Sequence, residues 1–259
     1  MRMESFYTGS GDDKLYTVYH APTKFRAGNI GIVMCYPLGQ EFIRSHKAYV
    51  RLANRLGDEG FHVIRFDFYG CGDSYGDLEL ATVTKWVEDI RRVLSDFNQA
   101  LGLGGVYLLG TRFGATLALM YSSIFEVDGL VLIAPILDGA EYIKEIKRGH
   151  EKWLDEAFAR PSVINKETEI SGFYFPDNLI AEIKSISLGD LLFKVGRSGL
   201  VLESNDKSFK SLSTLPKEIK FSFLSIINDN FWIKNKDLEN VSLVPIEDID
   251  AICDWMNLQ

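Results

Sequence analysis

The chain predicts an α/β fold: a mostly parallel, doubly wound sheet carrying a helical cap insertion. Two observations carry this. From residue 30 to 136, short apolar runs of strand character alternate with amphipathic helical stretches, which suits a sheet covered by helices on both faces. From residue 137 to 198 charge rises and strong strand runs vanish, while helical stretches continue at 140–159 and 178–186. That stretch reads as a cap over the C-terminal edge of the sheet. The α/β pattern then resumes, so the core spans 1–136 and 199–259, and the cap 137–198.

The elements follow in order. Residues 5–8 and 14–19 predict a leading hairpin turned by Gly9, Gly11 and Asp12. Ile30 to Cys35 is continuously apolar, as in a strand covered on both faces. Residues 45–60 take up a helical period with Tyr49, Leu52, Ala53 and Leu56 on one face and Gly60 as the stop. A strand over 61–68 runs into the glycine turn 69–74. A helix over 82–100 follows, then a strand at 106–109, an apolar helix at 114–123 and a strand at 130–134 stopped by Pro135. After the cap, residues 200–203 and 221–227 read as strands, 207–215 as helix or turn, and 248–256 as a closing helix.

Composition narrows the function. The 259 residues are 46% hydrophobic and 25% charged, with a net charge of −8, which disfavours nucleic acid and anionic membrane surfaces as partners. No apolar run has the length of a membrane span, and the N-terminus lacks the apolar stretch of a signal peptide, so a cytoplasmic protein is expected. Cys35, Cys71 and Cys253 are widely and unequally spaced, which predicts reduced thiols and no zinc site. No cofactor is expected. The turn Gly70-x-Gly72-x-x-x-Gly76 lacks the strand-to-helix context of a dinucleotide loop.

Four segments carry a resemblance. They are Cys35-Tyr36-Pro37-Leu38-Gly39-Gln40-Glu41 running into Ser45-His46; Arg65-Phe66-Asp67-Phe68-Tyr69-Gly70-Cys71-Gly72-Asp73-Ser74; Leu109-Gly110-Thr111-Arg112-Phe113-Gly114-Ala115; and Gly129 through Pro135. Together they resemble the α/β-hydrolase superfamily, more narrowly its exosortase-associated and serine-aminopeptidase-like hydrolases. The resemblance implies a nucleophile elbow at 110–114, whose two glycines permit a tight strand-to-helix turn. It also implies an oxyanion hole built from the loop at Tyr36, Pro37 and Leu38 and from the backbone of Phe113.

The same resemblance exposes a departure. The elbow apex is Arg112, which stays protonated and cannot attack a carbonyl. The slot for the triad acid offers Asp206. The slot for the histidine reads Asn228-Asp229-Asn230-Phe231-Trp232, and no histidine follows His150. Arg112, Asp206 and Asp229 are therefore the expected catalytic residues of a rebuilt site. Tyr36, Pro37, Leu38, Thr111, Phe113 and Asn230 are the expected substrate-binding residues.

Each has a plainer reading. Arg112 is either an anion clamp or a structural ion pair with Asp206 or Asp229. Cys35 reads as a buried strand end rather than a thiol nucleophile, Thr111 as pointing away from the pocket, and His46 as structural. Trp153, Phe158, Phe173, Tyr174 and Phe175 line a ligand pocket or form the cap's own core. Three classes stay open. The first is an enzyme of altered chemistry, such as an isomerase, epimerase or cyclase of a biosynthetic pathway acting on a small-molecule, acyl or peptide-like ligand. The second is an esterase, thioesterase or acyltransferase with an unusual nucleophile. The third is a catalytically silent binding protein, with a protein partner or homodimer as its assembly.

Overall fold

A computed structural model describes residues 3–156, 168–187, 195–203, 220–226 and 245–259. Among them, eight strands form one sheet in the order β1-β2-β4-β3-β5-β6-β9-β10. They are β1 (Met3–Thr8), β2 (Leu15–His20), β3 (Ile30–Cys35), β4 (His62–Phe66), β5 (Gly105–Thr111), β6 (Val127–Ile133), β9 (Val195–Glu203) and β10 (Lys220–Ser225). β1 and β2 form the expected antiparallel hairpin and β2 joins β4 antiparallel; every pairing from β4 to β10 is parallel. The doubly wound α/β sheet is therefore present.

Helices cover both faces. Along β3, Val33 and Cys35 join a core with α2 (Val83–Leu101), α3 (Phe113–Ile124) and the cap. Ile32 and Met34 join the opposite core with α1 (Gly39–Asp58) and the closing helix α6 (Ile246–Asn257). This two-sided burial explains why β3 is apolar at nearly every position. α2 falls within one residue of the helix expected over 82–100 and is capped at both ends: the Thr82 hydroxyl accepts from the Lys85 N–H at 3.0 Å, and Gly102 closes the helix in the left-handed conformation with φ 59°.

Most boundaries shift by one to three residues, and three differences are larger or new. α1 begins at Gly39 rather than at residue 45, because its first turn carries Glu41 and Phe42 against the site instead of extending the apolar stripe. β9 begins at Val195 rather than at residue 200. The cap holds α4 (Gly139–Glu156) and α5 (Asp177–Lys184), and also a small hairpin of β7 (Glu169–Ile170) and β8 (Phe173–Tyr174). That hairpin turns through Ser171 and Gly172, both at positive φ. Its strands are two residues each, too short to leave a period-2 signal. The helix or turn expected at 207–215 lies outside the described residues.

Candidate functional site

The parallel strands deliver their C-terminal ends to one edge, where β5 passes into α3 through Arg112. That residue has φ 54° and ψ −122°, a conformation that a side chain occupies only under constraint. The constraint is visible. The Arg112 N–H donates to the Ile133 carbonyl at 2.8 Å, and the Arg112 carbonyl accepts from Ala115 and Thr116. A Cβ on Gly110 would overlap the backbone of Gly114 and Ala115, and one on Gly114 would overlap the carbonyls of Cys35 and Tyr36. Both elbow glycines are thus required by close approach, and the elbow geometry of the fold is intact.

The Arg112 side chain is buried and bound to carboxylates. Nε donates to Glu41 Oε1 at 2.9 Å and Nη2 to Glu145 Oε1 at 2.6 Å. The Tyr142 hydroxyl donates to the other Glu41 oxygen at 3.1 Å, and the guanidinium lies 5.6 Å from the centre of the Tyr142 ring. Tyr142 in turn stacks on Phe113 at 5.7 Å. Burial alone would lower the Arg112 pKa, but Glu41 and Glu145 outweigh it and hold the guanidinium protonated. Burial pushes Glu41 upward, and Arg112 pulls it part of the way back. Glu41 belongs to the first turn of α1, whereas Tyr142 and Glu145 belong to the cap helix α4. Arg112 therefore ties the core to its cap.

Beside this cluster lies a cleft of about 110 Å³. Tyr36, Pro37 and Leu38 of the loop after β3 form one wall, and Asp67, Gly70 and Cys71 of the glycine turn form another. Trp86 and the cap residues Phe173 and Phe175 complete it. Gly72 is needed there, because a Cβ would overlap the Asp67 carboxylate. Asp67 accepts from the Asp73 N–H at 3.0 Å, yet burial pushes its carboxyl up to about 6.

The structure brings only part of the expected site together. Tyr36, Pro37 and Leu38 line the cleft. Thr111 and Phe113 are fully buried beside the elbow and do not line it. Asp206, Asp229 and Asn230 lie outside the described residues, and with them the expected pairing of Arg112. The thiol of Cys35 is fully buried and pushed well up by burial, and that of Cys71 is pushed up to about 12, so neither is a thiolate at neutral pH. His46 stacks on Tyr36 at 5.9 Å, and His150 accepts the Ser171 N–H at 3.0 Å within the cap. Glu41, Tyr142, Glu145 and Asp67 were not singled out from sequence. The available signal was chemical: an arginine at the buried elbow apex needs acceptors, carboxylates are the strongest, and Glu41 stands within the loop segment that marks the fold.

Comparison with known proteins agrees with this architecture. The family model of the serine aminopeptidases, S33, matches residues 42–221, and the chain belongs to that family. A proline iminopeptidase of Clostridioides difficile is 29% identical over 105 residues, which is 39% of this chain and 34% of that protein. The mitochondrial palmitoyl-protein thioesterase ABHD10 of Bos taurus is 36% identical over 83 residues, 31% of this chain and 26% of the relative. The chain thus matches about a third or less of the length of these curated relatives. Est1E of Butyrivibrio proteoclasticus, solved with ferulic acid bound, superposes with a TM-score of 0.71 at 18% identity over 98% of both chains, a likeness of fold. Among the described residues no helix is long and apolar enough to cross a membrane.

Proposed function

We propose that this chain is a ligand-binding member of the serine aminopeptidase S33 family in which the elbow has become a latch for the cap and no longer a nucleophile. The observation that carries this reading is the position of Arg112, held by Glu41 at 2.9 Å and Glu145 at 2.6 Å where the fold presents its attacking group. One guanidinium between two carboxylates is no net positive charge, so the cluster offers no attraction to an oxyanion. The neighbouring cleft is walled mainly by Leu38, Phe68, Trp86, Phe173 and Phe175. It suits a small, mostly apolar acyl or aromatic ligand, with the loop at Tyr36–Leu38 beside its polar end.

Ferulic acid, the ligand named for Est1E, and p-nitrophenyl butyrate are suitable probes. Saturable quenching of the tryptophan fluorescence by ferulic acid is expected, since Trp86 lines the cleft, with loss of that quenching in Leu78→Glu, and p-nitrophenyl butyrate is expected to hydrolyse no faster than in buffer. Protein-dependent turnover of the ester would overturn the reading.

A second reading rests on Asp67. A cleft carboxyl pushed up to about 6 exchanges protons close to neutral pH and suits an isomerisation, epimerisation or elimination rather than hydrolysis. Proton–deuteron exchange into a bound ligand, abolished by Asp67→Asn, would favour it over pure binding.

A further inference from the structure

The molecule has a second buried arginine on the other side of Tyr36. Arg65 lies on β4 with only 5% of its surface exposed, and among the described residues it forms no salt bridge. Its Nε donates to His20 Nε2 at 2.9 Å and its Nη1 to the Tyr36 hydroxyl at 2.5 Å. Both acceptors are uncharged. Burial and the neighbouring guanidinium lower the His20 pKa to about 4, and the ring's Nδ1 bonds Asn54 Oδ1 at 2.8 Å, which fixes Nε2 as the lone-pair nitrogen. Burial pushes Tyr36 up to about 12, so its phenol keeps its proton. The remaining terminal nitrogen, Nη2, has no acceptor among the described residues.

This cation lines a groove of about 520 Å³ between the β1–β2 edge and the first half of α1. The Asp67 carboxyl feels this charge but makes no hydrogen bond or salt bridge to it, so the buried guanidinium carries a desolvation cost that an anion arriving in the groove would offset. The rest of the lining narrows the anion. Asp67 and Asp73 also face the groove, and burial together with Arg65 lowers the His46 pKa, so one cation stands against two carboxylates. A phosphate or sulfate dianion would be repelled. A ligand carrying both charges matches the pattern. Met3, Val18, Phe42 and Ile43 supply apolar walls for its remainder.

We propose that this groove binds a free α-amino acid with an aliphatic side chain, its carboxylate on the Arg65 guanidinium and its ammonium towards Asp67 and Asp73. The site lies across a wall that it shares with the cleft under the cap, formed by Tyr36, Phe42, Asp67 and Gly72.

Titration calorimetry with L-leucine tests the proposal, with 4-methylpentanoate as the analogue lacking the amine and isoamylamine as the one lacking the carboxylate. Leucine is expected to bind saturably at one site, each analogue at least about tenfold more weakly, because each leaves one buried charge unanswered. Arg65→Gln is expected to abolish binding. Ser5→Trp, placed on an exposed position of β1 that borders the groove, is expected to abolish it without touching the core, and it decides the matter where Arg65→Gln fails to fold. Absence of a saturable leucine signal in the unaltered protein, binding of 4-methylpentanoate as tight as that of leucine, or binding that survives Ser5→Trp would each overturn the proposal.

Discussion

Two buried arginines, Arg112 and Arg65, stand on either side of the loop after β3, and their surroundings are opposite. Arg112 is enclosed by two carboxylates and a tyrosine, and Arg65 by a neutral histidine and a phenol. The first has spent its charge on holding the molecule together. The second keeps its charge within reach of a groove. Their difference shows that a buried charge is informative only together with its partners: neutralised by carboxylates it is structural, and left with neutral acceptors it points to a ligand.

The comparison breaks first at Arg112. Arg112→Met is expected to cost about 3–5 kcal/mol, because it strands Glu41 in the interior without its counter-charge. Adding Glu41→Gln should recover part of that loss, and urea denaturation of the single and double variants measures both. A null effect would mean that the latch contributes little.

The next effect is one of pH. Asp67 has a folded pKa of about 6 against an ordinary value of 3.8, so it binds its proton more tightly folded than unfolded. Its cost is absent below the unfolded value, grows between pH 3.8 and about 6, and persists in full above that. Asp67→Asn keeps an acceptor for the Asp73 N–H and removes the titration. It should therefore gain about 2–3 kcal/mol relative to the unaltered protein on going from pH 4 to pH 7. Equal pH dependence of the two proteins would show that Arg65 neutralises Asp67 after all.

Arg65→Met is expected to cost about 1–3 kcal/mol, less than Arg112→Met, since the two groups it is hydrogen-bonded to are neutral and Asp67 feels its charge without a direct contact. A larger cost at Arg65 than at Arg112 would reverse the assignment of roles. Glu145→Ala removes the outer partner of the latch, a side chain about half exposed, and should cost no more than about 1 kcal/mol in the same assay.

Much of this was legible in the residues. Short continuous apolar runs located the sheet and period-3.6 patterns its helices, and Gly110 and Gly114 marked the elbow because only glycine tolerates the overlaps there. The start of α1 was not legible, since Glu41 and Phe42 face the site and interrupt the stripe that begins with Ala48. The hairpin of β7 and β8 was too short to show a period. Arg112 was conspicuous as the apex residue, but its partners were not. Glu41 is 71 residues away and Glu145 is 33, and a salt bridge across such separations leaves no local pattern. Arg65 was visible only as part of a family segment; its solitude depends on His20, Tyr36 and Asn54 converging from three elements.

The central claim is that Arg112 fastens the cap to the core. Amide hydrogen exchange compared between the unaltered protein and Arg112→Met tests it most directly. The account predicts faster exchange in α4 and around Ser171, with exchange in α2 unchanged. Unchanged exchange in α4 would contradict it.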